Sequence, residues 1–284
     1  MHGGLFCMNR KKPMDIKQRK LVKRELLNLQ MQEKRLVEDA LKAKTVSWKA
    51  YLEKKIPDKV YEGLESAFCK GFSLVFRQGR AIIEKTYDKD ALQKDHARRD
   101  REIQIRGSRR DFKQMHKSAR RSDNRNMAAT TAEGMALGLM GVGLPDIVLF
   151  LSTLLKGIYE TAIHYGFDYD SPAEQYLILN MISASLKTGK TWVRENAAVD
   201  RLLEEDAIGV AEKVLEDQIH RTASDFAMDM LLLKFIQGLP VVGILGGAAN
   251  PVYYRKVMKY VQMKYRKRYL RKQIKHTDRE EKYD

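Results

Sequence analysis

The residues of this chain best placed to do chemistry are Asp146, Thr153, Glu160 and His164, spaced by seven, seven and four. On a helix those intervals set four side chains in one polar stripe along an otherwise apolar surface. Glu160 and His164, one turn apart, are residue types that serve as a general acid–base pair or as two metal ligands. A hydrolase-like site using Asp146, Glu160 and His164 is therefore one reading. A metal centre needs more ligands, and no HExxH motif or His/Cys cluster supplies them. No metal and no cofactor is expected. The plainer reading pairs Lys156 with Glu160 at i,i+4 and leaves the stripe without a catalytic role.

Two other patterns invite a chemical reading. Residues 184–191, ASLKTGKT, loosely match a phosphate-binding loop. Such a loop needs a buried strand before it and several glycines, so that backbone N–H groups surround the phosphates. Here a helix precedes it and Gly189 serves as that helix's C-cap, so nucleotide binding is rejected. Asp217, Arg221, Asp225 and Asp229 form an i,i+4 ladder that reads as solvated ion pairing, with interior polar contacts as the second choice.

Charge says more than motif. The net charge is +16, unevenly distributed. Residues 160–229 carry six Lys/Arg against fourteen Asp/Glu, whereas 231–277 carry eleven and no acid. Residues 10–60 and 94–125 are basic as well. An acidic middle between basic arms implies internal pairing, an anionic partner, or both. In the last helix Tyr254, Val257, Met258, Val261, Tyr265 and Tyr269 share one side. Around it stand Arg255, Lys256, Lys259, Lys264, Arg266, Lys267, Arg268, Arg271 and Lys272. Such a helix suits an anionic membrane surface or an acidic membrane protein, and those nine residues are the expected contacts. Alternatively its apolar face packs on a core while the basic face is merely solvated. Nucleic acid is a third partner class, reached through 94–125 and the C-terminal segment, but no recognised nucleic-acid-binding motif supports it.

The elements that must position these residues are helical. Residues 15–55 are rich in helix formers, with Leu26, Leu29, Glu33, Leu36, Ala40 and Ala43 as a broken inner stripe. Pro57 ends that arm, residues 58–87 read as one or two helices, and a solvated helix with a loop at Gly107–Ser108 follows. Two apolar, glycine-spaced blocks punctuate the rest: 134–146, with Gly134, Gly138, Gly141, Gly143, Pro145 and Asp146, and 238–251, with Gly238, Pro240, Gly243, Gly246, Gly247, Asn250 and Pro251. Each block ends with a proline beside a polar residue, a combination that starts a helix. The first block holds a short helix over 131–142. Leu144, preceding Pro145, is pushed from helical geometry, and the helix then runs to Tyr165 and stops at Gly166. Ser171-Pro172-Ala173-Glu174 is a capping box. Residues 196–222 are amphipathic, 224–237 are more apolar, and a last helix spans 250–276. The expected architecture is all-α: a flexible 1–14, a basic helical 15–130, a glycine-rich core 131–276 with its two blocks packed together, and a tail 277–284. Insertion of the glycine blocks as a membrane hairpin is the competing reading. Two cysteines, Cys7 and Cys69, and an N-terminus without a signal-peptide run suggest a cytoplasmic protein, possible at the membrane periphery.

The run AEGMALGLMGVGLPDIVLFLSTLLKGIYETAIHYGFDYDSPAEQYLIL resembles the central segment of the EcsC protein family, with Pro172 and Glu174 at its Pro-x-Glu helix start. LPVVGILGGAANPVYYRKV resembles that family's second glycine-rich block, and Trp48, Pro57 and EGLESAFCKGF its N-terminal helices. The resemblance covers residues 15–272. It implies a bacterial protein, cytoplasmic or peripheral to the membrane, whose namesake is encoded beside an ATP-binding-cassette transporter. No established activity or cofactor comes with it. The function expected is that of a non-enzymatic accessory protein at the cytoplasmic membrane face.

Overall fold

Glycine and serine punctuation sets the helix boundaries. A computed structural model of the chain describes residues 16–42, 55–76, 83–121, 144–204, 209–237 and 249–280. Nine helices and no strand occur among them. They are α1 (Ile16–Lys42), α2 (Asp58–Leu74), α3 (Lys89–Ile105), α4 (109–121) and α5 (Leu144–His164), followed by α6 (Pro172–Leu186), α7 (Gly189–Glu204), α8 (Glu212–Gln237) and α9 (Ala249–Glu280). The all-α expectation holds.

Ser171 Oγ accepts the Glu174 N–H at 3.2 Å with Pro172 in the first helical position, as the capping box requires. The Glu174 carboxylate takes other partners, described below. At the α3–α4 turn the expected break at Gly107–Ser108 occurs: Gly107 has φ +52°, and Ser108 and Asp111 cap one another reciprocally. Gly166 ends α5 at φ +74°, with Gly166 N–H bonded to Ile163 O and Phe167 N–H to Ala162 O. That is a Schellman stop.

Some boundaries differ from expectation, among them the end of α9 at Glu280 rather than 276. Leu144 is the first residue of α5, a one-residue difference at a helix end, where boundaries fray by a residue or two. α9 starts at Ala249, one residue before Asn250. The acidic stretch 196–222 is shared by two helices: α7 ends at Glu204, and Gly209 at φ +59° precedes α8. The first glycine block before Leu144, including the helix expected over 131–142, lies outside the described residues, as does the second block from Gly238 to Ala248.

One hydrophobic core runs from Val22 to Leu270. Its aromatic centre joins Phe68 and Phe72 of α2 and Phe150 of α5 to Phe226 of α8, with Phe68 stacked on Phe226 at 5.2 Å. α6 is buried from Leu177 to Leu186, and α9 packs against α1, α5, α6 and α7. Gly157 permits the closest of these approaches, since a Cβ there would collide with the Tyr254 hydroxyl. The stretch Ile147–His164 is long and apolar enough to cross a membrane, but 78% of it is buried within the protein. Burial in a core accounts for its hydropathy.

α4 is held by Phe112, Met115 and Ala119 and by His116, whose Nδ1 lies 3.0 Å from the Tyr165 hydroxyl. Its expected description as a solvated segment therefore applies only to its outer face. Burial, aided by Arg266 and Arg120, pushes the His116 imidazole down to about 4, so it is neutral near pH 7.

Gly166→Ala should destabilise the fold by more than about 1 kcal/mol, since left-handed backbone strain adds to a clash of the new Cβ with the His96 ring. Urea unfolding measures it, with Gly63→Ala, at an open helical site, as the control.

Candidate functional site

α9 sits at the centre of the bundle although its sequence is among the most basic in the chain. The apolar side expected of it is present: Tyr254, Val257, Met258, Val261, Tyr265 and Tyr269 are all buried. The lysines and arginines between them then have to be buried too, or reach carboxylates. They do both. Lys264 is 0% and Lys267 3% exposed, and both bind Glu33 of α1 and Asp200 of α7. The Lys264–Asp200 and Lys267–Asp200 contacts are 2.7 and 2.8 Å. Two cations and two anions close into a ring of zero net charge joining three helices. Burial would raise the Glu33 carboxyl, but Lys264 and Lys267 outweigh it and hold it at about 2. Burial pushes the Lys264 ammonium down against the pull of Glu33 and Asp200.

The rest of α9 follows the same rule. Arg268 Nη1 donates to both oxygens of Glu174 at 2.8 and 2.7 Å while stacking over Phe167, and the Tyr265 hydroxyl donates to the same carboxylate at 2.7 Å. Arg266 binds Glu25 at 2.8 Å, Arg271 binds Glu204 at 2.9 Å, and Lys256 binds Asp229 at 3.0 Å. Tyr269 and Gln273 converge on Asp100, each at 2.8 Å. Burial, with the Glu174 and Asp100 charges, raises the Tyr265 and Tyr269 hydroxyls well above their ordinary value, so both stay protonated donors.

Six of the nine residues expected to meet a membrane or partner thus form ion pairs with other helices of their own protein: Lys256, Lys264, Arg266, Lys267, Arg268 and Arg271. Lys264 and Lys267 are inaccessible. Arg255, Lys259 and Lys272 are exposed. The helix is buried on more than its apolar side because carboxylates surround it, Glu174, Asp200, Glu204 and Asp229 from the acidic middle and Glu25, Glu33 and Asp100 from α1 and α3. Three of the four residues of the α8 ladder pair outside their own helix, while Asp217 is exposed. Asp225 takes Ser183 and Lys187, Arg221 takes Glu195 at 2.7 Å, and Asp229 takes Lys256.

The stripe on α5 is distributed differently. Thr153 Oγ1 donates to the Leu149 carbonyl of its own helix at 3.0 Å. Glu160 is buried near Tyr87, whose hydroxyl is pushed up to about 12, chiefly by burial. Lys156 Nζ donates to the Thr86 carbonyl at 3.2 Å. His164 is buried, and its backbone carbonyl accepts from His96 Nδ1 at 3.0 Å. The Asp146 side chain lies outside the described residues. The cleft at the start of α6, lined by Ser171, Glu174, Tyr176, Leu202 and Arg268, includes neither Glu160 nor His164. Among the described residues no three His, Cys, Asp or Glu side chains are grouped to hold a metal.

Exposed basic residues are concentrated on α1 and α4. Over residues 16–35 and 109–121, Lys17, Lys20, Lys23, Arg24, Lys34, Arg35, Arg109, Arg110, Lys113, Lys117, Arg120 and Arg121 are all exposed. The three acids of those stretches, Glu25, Glu33 and Asp111, are buried. α1 adjoins the α3–α4 corner: Gln18 Nε2 donates to Gln104 O of α3 at 2.7 Å, and Arg109 Nε of α4 lies 3.8 Å from Glu25.

A sequence model of the EcsC protein family matches residues 20–270, from α1 into α9. The chain belongs to the EcsC protein family. No curated protein and no solved structure matches it. The EcsC match spans every member of the charge ring and every carboxylate that α9 contacts. Among these partners Glu33 stands out in the sequence as an acid inside an apolar stripe, Glu174 as the acid of a capping box and Asp229 as part of the α8 ladder. None of those local patterns points to α9, and Glu25 and Asp200 read as ordinary surface acids, because their partner helix is distant in the chain.

Lys264→Met should cost about 3–5 kcal/mol, since it leaves the buried Glu33 and the half-buried Asp200 facing one lysine. The acid limb carries a second signature. A carboxyl lowered from 4.5 to about 2 contributes stability above its unfolded value and loses it as pH falls through that interval. Wild type should lose stability over that range, and Lys264→Met less steeply, in denaturant titrations across pH.

Proposed function

We propose that this EcsC-family chain is a non-enzymatic interaction protein that meets an anionic membrane surface through the outer faces of α1 and α4. One observation carries the reading: twelve exposed Lys and Arg and no exposed acid across residues 16–35 and 109–121. Each basic side chain near an anionic surface contributes about 1 kcal/mol, so four or five engaged residues hold a protein there reversibly. The site of action is the cytoplasmic membrane face, beside a transporter of the ATP-binding-cassette class, in keeping with the company of the family's namesake. Acid–base chemistry on Glu160 and His164 has less support, because both side chains are buried. The same basic face could attract nucleic acid, and the experiment below separates the two.

Arg110→Glu, Lys113→Glu and Lys117→Glu together should weaken co-sedimentation with phosphatidylserine vesicles at low salt by at least about tenfold. Arg255→Glu with Lys259→Glu, on α9, should weaken it far less. Equal binding of wild type to neutral and anionic vesicles, or tighter salt-dependent binding to duplex DNA than to either, overturns the reading.

A further inference from the structure

The two faces of α1 are the reverse of an ordinary surface helix. Three of the five residues it buries against the core are polar, Gln18, Glu25 and Glu33, beside Val22 and Leu29. Its outer line, followed in steps of three and four, reads Ile16, Lys20, Lys23, Leu27, Met31, Lys34, Glu38, Leu41. Leu27, Met31 and Leu41 are 55%, 46% and 52% exposed, and Ile16 is exposed as well. A lone exposed leucine needs no explanation. Four large apolar residues on one line do, when the same helix spends buried positions on carboxylates.

Lysines interleave with them, and the single acid, Glu38, lies 4.0 Å from Lys34. That mixture selects the occupant. A second copy laid on the stripe would set Lys23 and Lys34 against basic residues of the other helix, in either direction. An anionic bilayer accepts both classes at once: apolar side chains enter the acyl boundary, while lysine stems lie along it with their ammonium groups at the phosphates. Inward, Gln18, Glu25 and Glu33 tie the helix to Gln104, Arg266, Lys264 and Lys267, so the stripe stays turned out.

We infer that α1 is the inserting element: it lies flat on the anionic membrane, with Leu27 and Met31 buried in the acyl boundary. This rests on the membrane reading above and adds an apolar component that salt does not screen.

Flotation of the full chain with phosphatidylcholine vesicles, with and without phosphatidylserine, at low and high salt, tests it. Wild type should retain measurable binding to anionic vesicles at high salt. Leu27→Asp with Met31→Asp, checked for an unchanged melting temperature, should lose that residue of binding by at least tenfold. Leu27→Trp should be quenched by brominated acyl chains beyond the background of the native tryptophans. Equal binding by wild type and the double variant at every salt, with Leu27→Trp unquenched, overturns insertion and leaves electrostatic docking standing. No preference of wild type for anionic vesicles overturns both. A dimer that the double variant dissolves, without vesicle binding, also overturns insertion in favour of self-association.

Discussion

The ring of Glu33, Asp200, Lys264 and Lys267 is the constraint on which the other contacts depend. Burying two lysines one turn apart is prohibitive unless each meets a carboxylate, and here each meets two. The two acids come from α1 and α7, so neutralising α9 fixes the positions of both neighbours. Arg266 with Glu25 and Arg268 with Glu174 extend the arrangement along α9. A helix too polar for a core by sequence becomes the axis of one.

This internal pairing also sorts the charge of the molecule. Over residues 16–35 and 109–121 the acids are turned inward, Glu25 and Glu33 towards α9 and Asp111 towards Ser108. Twelve lysines and arginines of those stretches are left outside with no exposed acid among them, and the exposed acids of α1, Glu38 and Asp39, stand at its far end. Basic character is thus moved from the segment richest in it to a surface formed by α1 and α4. Neutralising α9 and charging the outer face are one event.

Much of the architecture was legible in the chain, because caps and glycine stops act locally. Ser171-Pro172, Gly166, Gly107 and the apolar line of α9 all stand where their neighbours imply. The fate of Lys264 and Lys267 was not legible. Whether a lysine on a helix is solvated or buried depends on what packs against it, and Glu33 lies 231 residues away along the chain. The Asp225 and Asp229 contacts failed for the same reason, an i,i+4 pattern being indifferent to partners on other helices. The inverted faces of α1 were half visible: Glu33 was placed on the inner stripe, yet Leu36, also placed there, is 39% exposed. The two glycine blocks gave the family its recognisable marks, while the site argued above lies elsewhere.

Hydrogen exchange of the intact chain with and without phosphatidylserine vesicles is the most direct measurement of this division of charge. The account predicts added protection in α1 and α4, with the exchange of α9 unchanged because most of its basic side chains are already paired inside. Protection concentrated in α9, with α1 and α4 unaffected, would contradict it.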